Sequence, residues 1–286
     1  NLGAILRKLG RLDDAIASHQ RALQIKPEFA EAHCNLGNAL FGLGRLAEAI
    51  SSCQRALHIN PDYAEAHCNL GSVLFSQGRL NEAIVSFQRA LQINPDSSEA
   101  HNNLGTVLFR QGRLDEAIVS CQRALKINPN HEKAHSNLLM FHQYKPGITL
   151  DRLAFVHAEW NRIHGTPLQR SYPLVTSSAG PEHRLRLGFV SPDLGLHPVG
   201  YFLVRFLESL DPTDCETFCY SDRLQKDALT TRISAAVGTW RDTFGESDEA
   251  LARAIHADRI DVLIDLTGHT ANNRLLVFAR KPAPIQ

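Results

Sequence analysis

Two short segments carry residues whose types and spacing can do chemistry on a polar, anionic substrate. The first runs Ser191-Pro192-Asp193-Leu194-Gly195-Leu196-His197-Pro198-Val199-Gly200 and sets a histidine directly before a proline. Imidazole exchanges a proton near neutral pH, so a histidine at a cleft can serve as a base or as an orienting group. Pro198 suits the first turn of a helix and would hold His197 at its amino end, where the ring could equally well be a simple cap. The second segment, Thr267-Gly268-His269-Thr270, combines a glycine with hydroxyl and amide donors at an expected helix start, a pattern suited to an anionic group. Within it, His269 reads as a packing residue. Neither segment is a P-loop or a Gly-x-Gly-x-x-Gly fingerprint, so neither a nucleoside triphosphate nor a dinucleotide is indicated.

A third set is spread along the first half. Asn1, Asn35, Asn69, Asn103 and Asn137 recur every 34 residues. A primary amide both donates and accepts hydrogen bonds, so an inward-facing row could grip the main chain of an extended peptide without reading its sequence. Helices pack ~8–10 Å apart and an extended chain advances ~3.3 Å per residue, so one asparagine per repeat would meet roughly every third peptide residue. The competing explanation is recent duplication, because Arg11, Arg45, Arg79 and Arg113 are equally invariant among the copies, as are His33, His67, His101 and His135. For the histidines, packing against the preceding repeat is the better reading than a metal site, since ligands one repeat apart do not converge.

These residues must be positioned by two different architectures. Pro27, Pro61, Pro95 and Pro129 share the 34-residue period, the tetratricopeptide signature. Each unit predicts a helical hairpin: one helix from near Ala30 or Ala64 to near Gly44 or Gly78, a second from about Leu46 to Ile59, closed by Pro61. Gly37, Gly71 and Gly105 are small where the two helices must meet, and Leu36, Leu40, Ile50 and Leu57 supply the stripe that neighbouring repeats bury. The copies are expected to stack into a right-handed superhelix with the first helices on its concave side. After His131 the pattern decays through Lys145-Pro146-Gly147, and Thr149 reads as the N-cap of a helix reaching Ile163. A Ser- and Pro-rich linker from Thr166 to His183 follows, with a domain boundary near Pro181.

From Arg184 the period changes. Leu185 to Ser191, Thr217 to Tyr220 and Asp261 to Leu266 read as strands, with helices at about Val199 to Leu210, Asp227 to Val237 and Ser247 to Ala257. Strands alternating with helices predict a mostly parallel, doubly wound sheet whose ligands bind at the carboxyl ends of the strands. Both candidate loops lie on that edge. The expected organisation is therefore an α-solenoid followed by an α/β Rossmann-like lobe: repeats over 1–131 with the first incomplete, a degenerate repeat with capping helix and linker over 132–180, and the lobe over 181–286.

Composition sets bounds on partners. Thirty basic residues balance thirty acidic ones, so the chain lacks the positive excess with which proteins hold nucleic acid or anionic membranes. No apolar run approaches the ~18 residues that span a bilayer. The six cysteines include no Cys-x-x-Cys pair, and four of them occupy recurring repeat positions as small buried hydrophobes, which suits a reducing cytoplasm.

Taken together, the 34-residue units, Arg184-Leu-Arg-Leu-Gly-Phe-Val-Ser191-Pro-Asp193, Gly195-Leu196-His197-Pro198, Asp265-Leu266-Thr267-Gly268-His269-Thr270 and Lys281-Pro-Ala-Pro-Ile-Gln286 resemble the O-linked N-acetylglucosamine transferases and their Spindly-type relatives, glycosyltransferase family 41, in a bacterial version. The resemblance implies a GT-B enzyme that transfers N-acetylglucosamine from UDP-GlcNAc to Ser or Thr hydroxyls of polypeptides, with inversion, without a metal and with no cofactor beyond the nucleotide-sugar substrate. It implies that His197 is the His-Pro histidine at the junction of sugar donor and acceptor, that Thr267, Gly268 and Thr270 line the sugar-donor site, and that Asn35, Asn69, Asn103 and Asn137 bind the acceptor peptide. Leu196 and Thr267 stand where some members carry Asn, which leaves fucosyl and glucosyl donors open. The chain stops inside the first lobe, so these residues alone are expected not to turn over. The rival reading is a tetratricopeptide interaction scaffold without catalysis.

Overall fold

The computed structural model describes residues 2–8, 10–169 and 184–286. It divides into two compact units, Asn1–Ile148 and Thr149–Gln286. The linker residues expected around the Pro181 boundary lie outside the described residues.

The first unit is a series of helical hairpins: α1 (Leu2–Lys8) with α2 (Leu12–Ile25), α3 (Ala30–Gly42) with α4 (Leu46–Ile59), α5 (Ala64–Ser76) with α6 (Leu80–Ile93), and α7 (Ser98–Arg110) with α8 (Leu114–Ile127), followed by α9 (Glu132–Gln143). Gly44, Gly78 and Gly112 turn each hairpin at φ between +73° and +76°, a region that glycine enters without strain. The helices meet at the expected small residues. A Cβ on Gly105 would lie 2.9 Å from Cys121 Sγ and 3.1 Å from the carbonyl oxygen of Ala117, and Gly37 faces Cys53 and Ala49 in the same way. Gly105→Ala is therefore expected to cost about 1 kcal/mol net, because overpacking at about 1–3 kcal/mol outweighs the ~1 kcal/mol of helix propensity that alanine brings. Urea unfolding followed by far-UV circular dichroism measures this, and an unmoved midpoint would mean that the helices yield.

The invariant rows now separate by what they touch. His33, His67 and His101 place Nε2 2.9, 2.9 and 3.0 Å from the carbonyl oxygens of Pro27, Pro61 and Pro95, so these rings anchor the turn closing the preceding repeat. Arg45, Arg79 and Arg113 pair with Glu48, Glu82 and Glu116 at 2.6, 2.6 and 2.7 Å, and Arg11 pairs with Asp14, all on the exposed first turns of second helices. Such pairs contribute ~0–1 kcal/mol each. Cys34, Cys53 and Cys121 are fully buried, and burial pushes their thiols up to about 12.

The second unit opens with α10 (Leu150–Trp160), capped as expected by Thr149 Oγ1, which accepts from Arg152 N at 3.2 Å. A π-helical turn (Asn161–Gly165) and a short 3-10 turn (Thr166–Leu168) continue it. The sheet comprises β1 (Leu185–Ser191), β2 (Cys215–Ser221), β3 (Thr239–Asp242) and β4 (Val262–Asp265), all parallel, in the order β3-β2-β1-β4. Between strands run α11 (Pro198–Ser209), α12 (Ala228–Ala236) and α13 (Asp248–Ala257), and α14 (Leu275–Ala279) follows β4. Side chains alternate across the sheet. Phe189 and Cys219 pack with Leu203, Leu207 and Ile233 of α11 and α12, while Val190, Tyr220 and Leu263 pack with Leu251 and Ile255 of α13 and Val277 of α14. The strand β3 is an addition to the expected elements, and the helix expected after β4 begins later than anticipated, as α14. Ile285 then lies parallel to Val262, with Leu263 N donating to Ile285 O at 2.9 Å.

Candidate active site

The strand order fixes where a ligand can enter. From β1 the chain moves outward through β2 to β3, then returns to place β4 on the other side of β1, so the connections after β1 and β4 diverge and leave a crevice at their carboxyl ends. Both candidate loops meet there. Thr267 Oγ1 donates to Ser191 Oγ at 3.2 Å, and Leu266 N donates to Val190 O at 3.3 Å.

The β1 loop is held from three directions. Ser191 Oγ accepts from Asp193 N at 3.0 Å, and the backbone tightens through Gly195 N to Asp193 O at 2.9 Å and His197 N to Gly195 O at 2.6 Å. Asp227, the N-cap of α12, reaches across to accept from Leu196 N at 2.9 Å while also accepting from Thr230 N and Arg223. Desolvation pushes the Asp227 carboxyl up, but the hydrogen bonds from Leu196 and Thr230 and the charge of Arg223 outweigh it and hold it at about 2. Glycine is required at both ends of the fold-back: a Cβ on Gly200 would sit 2.1 Å from Gly195 O, and one on Gly195 would sit 2.6 Å from Asp227 Oδ2.

His197 is the N-cap of α11, and Pro198 is its first residue. Its Nδ1 accepts from Val199 N at 3.3 Å, the Asp193 carboxylate lies 3.8 Å from the same nitrogen, and the side chain remains 43% exposed. An imidazole that accepts at Nδ1 carries its proton on Nε2. The ring is thus both a cap and a partly open hydrogen-bond donor, which unites the two roles that the sequence left as alternatives.

The β4 loop differs from the expectation of an anion-binding helix start. No helix begins at Thr267, and the next one, α14, is only five residues long. Two of the loop's backbone amides are already occupied: Asp265 accepts from Thr267 N at 3.0 Å and from Gly268 N at 2.8 Å. Burial pushes the Asp265 carboxyl up, and these two N–H groups oppose that. Gly268 turns the chain at φ +60°. Thr267 is buried with its hydroxyl toward Ser191, whereas Thr270 is exposed, its Oγ1 donating to Thr267 O at 2.9 Å. Of the two threonines, Thr270 presents the more accessible hydroxyl. His269 packs as expected, its ring kept neutral down to about 4 by burial and by nearby His157.

Sequence reasoning missed Arg274. Its guanidinium pairs with Asp222 at 2.6 Å and Asp248 at 2.8 Å and also donates to Glu246 O and Thr243 O. One side chain, only 12% exposed, thereby ties the β4 loop to the segments following β2 and β3. Its partners lie 26 to 52 residues away, beyond any local pattern. Among the described residues, no group of three or more His, Cys, Asp or Glu side chains could hold a metal ion, and no helix is long and apolar enough to cross a membrane.

In the first unit Asn35, Asn69, Asn103 and Asn137 are half-buried, and Asn1 lies outside the described residues. Asn69 Nδ2 donates to Cys34 Sγ at 3.2 Å, and Asn137 Nδ2 donates to Asn102 Oδ1 at 2.8 Å and Thr106 Oγ1 at 3.2 Å. Asn103 Nδ2 lies 4.0 Å from Cys68 Sγ. These NH2 groups therefore face the preceding repeat.

Comparison with known proteins places these features in context. Tetratricopeptide models match residues 3–44, 30–63, 52–85, 71–112 and 98–131, and the model of glycosyl transferase family 41 matches residues 116–286. The chain is 38% identical over 145 residues to the probable UDP-N-acetylglucosamine--peptide N-acetylglucosaminyltransferase SPINDLY of Solanum lycopersicum, covering 48% of this chain and 15% of the relative. It is 32% identical over 121 residues to the probable transferase SEC of Arabidopsis thaliana, covering 42% of this chain and 12% of the relative. A solved lysine-to-methionine mutant of Thermobaculum terrenum O-GlcNAc transferase superposes with a TM-score of 0.83 at 34% identity, covering 90% of this chain and 49% of that one. The chain thus spans about 15% of the SPINDLY relative's length and 49% of the solved one.

Proposed function

The chain belongs to glycosyl transferase family 41, and from that premise we propose that it forms the acceptor-binding solenoid and part of the sugar-donor lobe of a protein O-glycosyltransferase that moves N-acetylglucosamine from UDP-GlcNAc to Ser or Thr. The observation that carries this reading is the meeting of the His197 loop and the Thr267–Thr270 loop at the β1/β4 crossover, joined by the Thr267–Ser191 hydrogen bond. His197 Nε2–H is aimed as a donor to an oxygen of the sugar nucleotide or acceptor, and Thr270 supplies the accessible hydroxyl on the facing loop. The reaction draws on the nucleotide sugar alone, with no metal or further cofactor. Six free cysteines suit a cytoplasmic protein. Transfer of labelled sugar from UDP-GlcNAc to a Ser/Thr-containing polypeptide by the enzyme of full family length tests the proposal. A preference for GDP-fucose or UDP-glucose would overturn the choice of sugar, and no transfer from any donor would overturn the enzyme.

Acceptor binding is assigned to Asn35, Asn69, Asn103 and Asn137. Because the NH2 groups of Asn69 and Asn137 are engaged with the preceding repeat, their amide oxygens are the atoms offered to main-chain N–H groups of a peptide, while the Asn103 oxygen, which already accepts from Asn102 Nδ2 at 3.3 Å, would offer its second lone pair. Each such bond contributes about 1 kcal/mol, so replacing Asn35, Asn69 and Asn103 together by alanine is expected to weaken acceptor binding roughly 10²-fold. Fluorescence anisotropy with a labelled acceptor peptide measures it, and unchanged affinity removes the row from binding.

A further inference from the structure

The loop between β4 and α14 is gripped from outside the sheet by rings that neither the fold nor the proposed chemistry demands. His157 and Trp160 stand three residues apart on the last turn of α10, so they share a face. The His269 ring lies 5.2 Å from that of His157, tilted by 54°, and 5.1 Å from that of Trp160, edge-on at 80°. The ring of His164, on the π-helical turn, backs Trp160 at 5.5 Å. Trp160 also lines a cavity with Leu275 and Phe278 of α14, so it borders both ends of the segment that α10 covers.

The indole is placed there at a cost. Trp160 is only 7% exposed, and its Nε1 is buried without a hydrogen-bond partner, although a buried unsatisfied donor ordinarily penalises a fold and calls for an explanation. The ring's surface, rather than its N–H, is what the site uses. His269 lies between Thr267 and Thr270, and Thr270 Oγ1 is bonded back to Thr267 O. Immobilising the His269 ring therefore immobilises both threonines. Burial keeps the His269 ring neutral at working pH, so it packs against the edge of Trp160 as an uncharged aromatic face.

We propose that Trp160 and His157 are positioning residues of the sugar-donor site, clamping the Thr267–Thr270 loop through His269. The clamp rests on the reading of that loop as part of the donor site, but its mechanical half is independent of it. Hydrogen exchange of the 286-residue chain tests the mechanics. Trp160→Ala is expected to speed exchange in the 266–272 segment roughly tenfold while leaving β1 and β2 unchanged, and Trp160→Phe, which keeps a ring and removes the orphaned N–H, is expected to match the parent. Unchanged loop exchange in Trp160→Ala, or an equal rise in β1, would overturn the clamp. In the enzyme of full family length, Trp160→Ala and His157→Ala are each expected to raise KM for UDP-GlcNAc about tenfold with a smaller effect on kcat, with Trp160→Phe restoring it. An unchanged KM alongside a loosened loop would overturn the positioning role. Absence of transfer by the parent enzyme would instead overturn the functional reading and leave the exchange result standing.

Discussion

Replacing Arg274 by alanine is expected to destabilise the α/β unit by about 3–5 kcal/mol, the range for removing one partner of a buried ion pair. Pairing at 2.6 and 2.8 Å compensates Asp222 and Asp248, with side chains 12% and 26% exposed. Without the guanidinium both carboxylates would remain largely out of water with no cation beside them, and the carbonyl oxygens of Glu246 and Thr243 would lose a donor. The penalty is thus that of uncompensated charge, which is why it exceeds the worth of any exposed pair on the repeats. Arg274→Lys keeps the charge but cannot fork between two carboxylates, so it should recover only part of the loss. Both tryptophans, Trp160 and Trp240, lie in the second unit. Their emission during urea unfolding therefore reports this unit separately from the repeats. A change below about 0.5 kcal/mol in the alanine variant, the scale of ordinary surface substitutions, would show that the Arg274 ion pairs are dispensable.

The second large effect concerns chemistry. His197→Ala in the enzyme of full family length is expected to reduce transfer about 10²-fold, the scale for losing a positioned proton-transfer or hydrogen-bonding group. The geometry also distinguishes the two ways this could happen. With Nδ1 accepting from Val199 N, the ring presents Nε2–H as a donor. To act as a base at Nε2 it must move its proton to Nδ1, surrender the cap and turn toward the Asp193 carboxylate, 3.8 Å away. His197→Gln keeps an N–H close to Nε2 and supplies no base, so a donor role predicts that it recovers at least tenfold over alanine. Steady-state kinetics of the three proteins on one acceptor decide it. Equal failure of glutamine and alanine would point to proton abstraction, and near-normal rates in alanine would remove the residue from the chemistry.

How much of this was legible in advance depends on the range over which each feature is encoded. The helices of the repeats follow the predicted bounds because a 34-residue period repeats the same turn glycine and closing proline, and each hairpin is stabilised by neighbours of its own kind. The caps at Thr149 and His197 lie within a few residues of the amides they satisfy, so local patterning reveals them. The strand β3 escaped because Thr239–Asp242 carries two exposed residues and becomes a strand by pairing with β2 rather than through an apolar alternation of its own. After β4 the expected helix start at Thr267 does not form, and Asp265, two and three residues upstream, takes the amides of Thr267 and Gly268, a local competition that residue types alone do not reveal.

By itself, the sequence determined the two architectures, the family and the short segments worth suspecting, since periodicity and contiguous motifs are local properties of a chain. Which side chains meet at the crevice was decided by tertiary structure alone. Thr267 reaches Ser191 across 76 residues, Asp227 reaches Leu196 across 31 and Arg274 reaches Asp222 across 52. The Thr267–Ser191 and Arg274–Asp222 pairings form only once the crossover from β3 to β4 has folded the sheet back on β1, and the Asp227–Leu196 pairing only once α12 has packed beside the β1 loop. No neighbouring residue records them, because the free energy that selects each partner comes from burial and satisfaction of polar groups in the assembled sheet rather than from the segment that carries it.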